Sequence, residues 1–272
     1  MPAETSDPSA VAPRRAAVLA GGLGTRLHPY TTVLPKPLIP VGDRPILELI
    51  LVWLAGNGVR EVDVCIGHLG ELIQTYFSQS QTIPDELELR WVWENEPRGT
   101  AGALAGIASP QETLLVVNGD VLTDLDPAQM LSFHRRRGAS LTIATRTNSV
   151  EVDLGVIEHD GRGRVTGYVE KPVLNYDASM GVYLYEPPAL ELLSRLAADA
   201  AVEFPDLVLA LLAAGEPVEA FHSASAWDHV GTIDQHRAAS LSEKWPQVGH
   251  VPGLAVRSRS GKVRFGSGDP DP

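Results

Sequence analysis

Ala16-Ala-Val-Leu-Ala-Gly-Gly-Leu-Gly-Thr-Arg26 is the stretch on which the fold turns. Ala16 to Ala20 is a short apolar run without polar alternation, the pattern of a strand buried on both faces, and the glycines after it end the strand in a loop. Such strands belong to parallel sheets covered by helices, so strand and helix patterns should alternate around it. They do. Pro45 opens an apolar-periodic helix that closes near Asn57-Gly58, with proline at its start and glycine past its end. A strand over Glu61–Ile66, a helix over Gly70–Phe77, a strand over Leu87–Trp93, a helix over Thr100–Ile107 and a strand over Thr113–Val117 follow. This pattern predicts an α/β fold, a doubly wound, mostly parallel sheet joined by right-handed crossovers, with ligands at the carboxyl ends of its strands.

Past Pro127 the character changes. A helix from Pro127 ends in Arg135-Arg-Arg137, where cations suit the dipole. Leu141–Thr145 reads as a strand, Val156–Val169 as a hairpin around Asp160-Gly-Arg-Gly163, and Met180–Tyr185 as another strand, so a β-rich insertion is expected here. Helices over Ala189–Ala198 and Pro205–Ala214, a strand over Val218–His222 and a helix from Thr232 to Lys244 complete the reading. A single domain is expected over 15–245, between a mobile N-terminal segment, 1–14, and a mobile tail rich in Arg, Ser, Gly, Asp and Pro, 246–272.

Composition narrows the function. A chain of 272 residues with 44% hydrophobic content can bury a sizeable core. A formal charge of −12 argues against nucleic-acid binding, which needs clustered Lys and Arg. Cys65, the one cysteine, forms no intramolecular disulfide and reads as a small buried side chain, which favours a reducing compartment. The first fifteen residues lack the apolar core of a signal peptide. The longest apolar stretch, Ile46 to Ala55, is interrupted by Glu48 and is shorter than the ~20 residues that cross a bilayer. A cytoplasmic protein with no membrane partner is expected.

Few cations remain, and two stand beside the opening strand. In Gly21-Gly-Leu-Gly-Thr-Arg26 the glycines let backbone N–H groups approach phosphate oxygens, and Arg26 supplies charge. The loop lacks the Gly-Lys-Ser/Thr ending of a Walker motif and carries Leu27 where a dinucleotide loop has its third glycine. In Leu34-Pro-Lys-Pro-Leu38 two prolines are expected to hold the backbone extended and to keep Lys36 out of a helix, aimed at phosphate. Asn118-Gly-Asp120 ends a further apolar strand and places a carboxylate at the same sheet edge.

Leu19-Ala-Gly-Gly-Leu-Gly-Thr-Arg-Leu27, followed by Pro35-Lys-Pro-Leu-Ile-Pro-Val41, resembles the signature of the sugar-1-phosphate nucleotidyltransferases, or NDP-sugar pyrophosphorylases. The resemblance runs from Arg15 to about Ser240. It implies a Rossmann-like nucleotidyltransferase fold with an inserted β-rich sugar-binding region. It also implies an enzyme that joins a nucleoside triphosphate to a sugar 1-phosphate and releases pyrophosphate, with Mg2+ as cofactor. Carried onto matching positions, it gives catalytic roles to Arg26, Lys36, Asp120 and Lys171. Ala20, Gly21, Gly22, Gly24, Thr25, Gly99, Thr100, Asn118 and Gly119 would bind the nucleotide, and Glu96-Pro-Arg-Gly-Thr-Ala101 is similar to the segment that reads the base. Gly155, Glu170, Lys171, Ser179 and Gly181 would bind the sugar phosphate, and Glu203-Phe-Pro-Asp-Leu207 resembles a helix start with a structural role.

Asp120 matches the metal ligand of that family, but a second position departs from it. Where the family commonly has Trp-x-Asp-x-Gly, this chain has Trp227-Asp-His-Val-Gly231. Asp228, His229 and Asp120 are therefore the metal candidates: Asp228 takes over, His229 binds a softer metal or a water, or one carboxylate suffices. The run Ser179–Pro187, without hexapeptide repeats after it, looks most like short guanylyltransferases for mannose-type or heptose-type sugars, which favours GTP; thymidylyl and uridylyl transfer stay open. The competing expectation is an inactive nucleotide-binding regulatory homologue, motivated by the altered metal segment. A homo-oligomer is compatible with either, symmetric assembly being the usual form.

Overall fold

The structure, a computed structural model, describes residues 12–80, 82–94, 96–107 and 111–245. The expected mobile tail, 246–272, and residues 1–11 lie outside the described residues. Residues 12–14 are described, and the Arg14 carbonyl accepts hydrogen bonds from the N–H groups of Arg60 and Glu61 at 2.8 and 3.3 Å.

The first half of the chain forms β1 (Arg15–Leu19), β2 (Pro40–Val41), β3 (Arg44–Pro45), α1 (Ile46–Gly56), β4 (Glu61–Ile66), α2 (Gly70–Gln79), β5 (Glu88–Trp93), α3 (Gly99–Gly102), β6 (Leu114–Asn118), β7 (Val121–Thr123) and α4 (Pro127–Arg137). The second half forms β8 (Leu141–Glu151), β9 (Gly155–His159), β10 (Val165–Glu170), β11 (Val173–Tyr185), α5 (Pro187–Leu196), α6 (Phe204–Ala213), β12 (Val218–His222), β13 (Trp227–His229) and α7 (Ile233–Leu241). A seven-stranded sheet in the order β12-β8-β11-β6-β1-β4-β5 is the centre of the molecule. Its pairs are parallel except where β11 runs antiparallel between β8 and β6.

Strand alternation divides the core in two. Ala16, Val18, Leu115 and Val117 point to a layer shared with α1, α2 and α4, whereas Ala17, Leu114 and Val116 point to a layer shared with α3, α5 and α6. Helices therefore cover both faces, as a doubly wound sheet requires. Helix α1 is buried from Ile46 to Ala55, Glu48 included. Its carboxylate accepts from the Tyr76 hydroxyl at 3.1 Å and lies 3.8 Å from the Arg44 guanidinium, so the charge that interrupts the apolar run is neutralised locally. No described helix is long and apolar enough to cross a membrane.

Two expectations change. The helix expected over Thr100–Ile107 is one turn, α3, followed by a 3-10 turn at Ala103–Gly106. Gly99, Gly102 and Gly106 weaken a regular helix there, and the Val202 carbonyl takes the N–H groups of Ala101 and Gly102 at 3.0 Å. The strands expected at Leu141–Thr145 and Met180–Tyr185 are twice as long, and their far halves pair beyond the packed sheet as a two-stranded arm. The arm carries the β9–β10 hairpin, with Val150, Ile157, Val165, Tyr168, Leu174 and Tyr176 all about half exposed or more.

Candidate active site

At the carboxyl ends of β1 and β6 the sheet opens into a cavity of about 780 Å³. Ala20, Gly21, Gly22, Gly24, Thr25, Gly99, Thr100, Asn118 and Gly119 line it, together with Arg26, Lys36 and Asp120. Every expected nucleotide-binding residue thus faces one space. Gly24 sits in the left-handed region at φ 61°, where a Cβ would stand 2.9 Å from the Thr31 side chain and 3.0 Å from that of Lys36. The glycine loop and the lysine loop therefore pack directly on each other. Lys36 is not on extended backbone: Pro35 is extended, but Lys36–Leu38 closes a 3-10 turn in which Pro37 fits because its fixed φ suits a first turn.

Asp120 gathers the charge. Its Oδ2 accepts from Lys36 Nζ at 2.5 Å and lies 3.1 Å from His229 Nε2, while its main-chain carbonyl accepts from Val230 N–H at 2.8 Å. Burial pushes the carboxyl up, but the His229 hydrogen bond and the Lys36 charge outweigh it and hold Asp120 down to about 2. It is a carboxylate at any physiological pH.

A ribbon of β7 and β13, unforeseen in the sequence, brings His229 there; it pairs His229 with Val121, Asp228 with Leu122 and Trp227 with Thr123. Successive side chains on a strand point to opposite faces, so His229 turns to Asp120 while Asp228 turns away and accepts from Trp245 Nε1 at 2.7 Å. Of the three metal candidates the structure brings together Asp120 and His229. Among the described residues no three His, Cys, Asp or Glu side chains cluster as metal ligands do.

The expected sugar-phosphate residues divide. Ser179 and Gly181 lie in an irregularity of β11, where the register with β8 shifts between Ser179 and Tyr183. Gly181 has φ 73° and presses against Asn118, whose Nδ2 would be 2.8 Å from a Cβ. Gly155, Glu170 and Lys171 lie on the exposed arm, and the structure does not bring them to the cavity wall. Lys171 pairs with Asp153, and the Glu170 carboxylate accepts from the Tyr168 hydroxyl at 2.7 Å. They belong to the arm, the part of the β8–β11 pair beyond Thr145 and before Ala178 with the hairpin it carries, where the strands turn from buried to exposed. Lys171 adopts φ 47°, one of two non-glycine residues at positive φ among those described, which marks local strain.

Two side chains escaped the sequence reading. Glu94 follows β5 and lines the cavity with its Oε1 so close to Gly21 that a Cβ there would stand 2.5 Å away. Burial pushes its carboxyl up, partly opposed by Arg98. The available signal was a carboxylate at a strand's carboxyl end, two residues before the segment compared with a base reader. Glu203, read as part of a structural helix start, also lines the cavity and accepts from Thr100 N–H at 3.1 Å and from the Thr100 hydroxyl at 2.7 Å.

The chain matches the sequence pattern described as "Nucleotidyl transferase" over residues 15–244. It belongs to the nucleotidyl transferase family. Members of that family generally use a divalent metal. A UTP–glucose-1-phosphate uridylyltransferase of Synechocystis is 30% identical over 266 residues, covering 89% of this chain and 67% of the relative. A mannose-1-phosphate guanylyltransferase of Mycobacterium tuberculosis is 31% identical over 224 residues, covering 80% and 61%. The catalytic subunit beta of a mannose-1-phosphate guanylyltransferase of Drosophila pseudoobscura is 34% identical over 185 residues, covering 65% and 49%. The chain thus spans between about half and two thirds of the length of these relatives. Among solved structures, a putative glucose-1-phosphate thymidylyltransferase of Bacillus anthracis superposes with a TM-score of 0.65 at 22% identity, covering 83% of this chain and 93% of that one. At that identity the likeness concerns the fold, which this nucleotidyl transferase family member shares.

Proposed function

We propose that the chain is a sugar-1-phosphate nucleotidyltransferase in which a sugar-1-phosphate oxygen attacks the α-phosphorus of a nucleoside triphosphate in line and pyrophosphate leaves. The supporting observation is the meeting of the glycine loop, Arg26, Lys36 and Asp120 on one cavity at the strand ends. The nucleophile is an anion at neutral pH and needs no general base, so the residues have to align two repelling anions and offset their charge. Arg26 and Lys36 serve the triphosphate, and Lys171 with Glu170 stand at the positions that the family resemblance assigns to the sugar phosphate. As the cavity's ionised carboxylate beside Lys36, Asp120 suits Mg2+, a hard ion held at phosphate sites by one or two carboxylates plus substrate oxygens. Bound there, the ion would neutralise phosphate charge. A single buried cysteine supports a reducing, cytoplasmic setting.

GTP is the favoured nucleotide. Glu94 lines the same cavity as Gly99 and Thr100, and a carboxylate accepts the two adjacent N–H donors of guanine, whereas uracil and thymine flank one donor with two carbonyls. The names of the Mycobacterium and Drosophila relatives support a mannose-type sugar phosphate. The Synechocystis relative, matched over more of the chain, favours uridylyl transfer to glucose 1-phosphate as the second reading. Pyrophosphate release from four nucleoside triphosphates, each with mannose, heptose and glucose 1-phosphates, separates them. Fastest release from GTP with a mannose- or heptose-type partner is expected; silence in every pairing ends the proposal.

A further inference from the structure

The metal segment of this chain differs from a pair of carboxylates in a definite way. Strand β13 offers an imidazole nitrogen, His229 Nε2, 3.1 Å from Asp120 Oδ2, and turns its neighbouring carboxylate, Asp228, to the far side. Two ligands about 2.1 to 2.2 Å from one ion and at right angles to each other stand about 3 Å apart, so this spacing matches the bite of one cation. Both donors come from fixed backbone. The Val230 N–H binds the Asp120 carbonyl, the ribbon of β7 and β13 is paired through three residues, and the His229 ring lies parallel to Trp227 at 6.3 Å. Gly231 keeps the Nε2 edge of the ring clear: a Cβ there would be 2.4 Å from His229 Cε1 and 2.9 Å from His229 Nε2.

We infer that Asp120 and His229 together ligate the divalent ion of the reaction and that this mixed pair prefers Mn2+ to Mg2+. The inference rests on the nucleotidyl transfer proposed above. Mg2+ takes oxygen and accepts imidazole poorly, whereas Mn2+ accepts imidazole and carboxylate alike and takes phosphate oxygens at its remaining positions. Ligation there would require His229 to give up the Nε2 proton it now shares with Asp120 Oδ2 and to keep its proton on Nδ1, and it would free Lys36 from the same oxygen for a phosphate.

The test uses the whole chain with Mn2+ and inorganic pyrophosphate, so that no nucleobase nitrogen is present. Electron spin echo spectra of the bound Mn2+ should show imidazole ¹⁴N modulation that changes when histidine is ¹⁵N-labelled and disappears in His229→Asp. In that variant the Mg2+ concentration that displaces Mn2+ should fall about tenfold or more. Protein-bound Mn2+ without histidine modulation overturns the inference, as does failure of the protein to bind Mn2+, or a His229→Asp protein with unchanged competition. Since the spectra of the unaltered chain decide ligation, a misfolded variant does not rescue the idea. Pyrophosphate release by the wild-type chain with Mg2+ is read separately: turnover without histidine coupling overturns the ligation alone, and coupling without turnover overturns the transfer reaction alone.

Discussion

Asp120 is the residue on which the site's charge balance turns. With Lys36 and His229 on the same oxygen, its folded pKa lies at about 2, below the ordinary aspartate value, so its contribution to stability is full above about pH 4. That contribution, about 2 kcal/mol, is lost as pH falls toward 2. Asp120→Asn should therefore flatten the acid limb of a pH–melting curve below pH 4 while turnover at neutral pH drops by about two orders of magnitude or more. A neutral-pH rate within a few fold of wild type would remove Asp120 from the chemistry. In the proposed reaction Glu94 would act on selection rather than rate. Glu94→Gln keeps the shape but replaces one acceptor with a donor, and the preference for GTP over UTP should shrink about tenfold or more in kcat/KM.

Among elements, the clamp between the start of α6 and α3 has the clearest consequence. Glu203 holds both donors of Thr100, and the Val202 carbonyl holds the N–H groups of Ala101 and Gly102, so the expected base-reading segment is positioned by a helix distant in sequence. Glu203→Ala should raise the nucleotide KM about tenfold with a smaller change in kcat, as loss of ground-state positioning predicts; a fall in kcat with KM unchanged would assign the carboxylate to the transition state. The β11 irregularity is the second such point. Gly181→Ala would place a methyl group against Asn118 at a positive φ and should cost about 1–3 kcal/mol of stability by denaturant titration. The strands around it were legible from their Val- and Tyr-rich runs, but the extent of their pairing was not, because an exposed arm buries too little apolar surface to show alternation.

Across the whole molecule, a partly buried polar junction ties α4 to β8 and to the head of α5. His134 of α4, 1% exposed, contacts Thr142 of β8 at 2.7 Å and Glu186 at the head of α5 at 3.0 Å, and Thr113 before β6 donates to the same Glu186 oxygen at 2.5 Å. Burial pushes the His134 imidazole below its ordinary value despite the pull of Glu186. A folded state that prefers the neutral ring keeps that stability above about pH 6.5 and loses it as pH falls further, since the unfolded chain takes up the proton first. Melting temperature should thus decline between pH 7 and 5, and His134→Gln should be less stable at pH 7 but lose less over that interval. An identical slope in both proteins would mean that another group controls it.

Local sequence by itself determined the alternation of strands and helices, the glycine loop and its cations, and the carboxylate at the end of β6. Those features rest on periodicity, turn chemistry and the position of charges at strand ends, all of which are short-range. Tertiary structure alone decided which of Asp228 and His229 reaches Asp120, because pairing of β13 with β7 sets the face each side chain takes. It likewise placed Glu94 and Glu203 in the cavity and left Glu170 and Lys171 outside it. Each of those outcomes depends on contacts between segments far apart in the chain, and no local pattern encodes the direction from which a distant segment arrives.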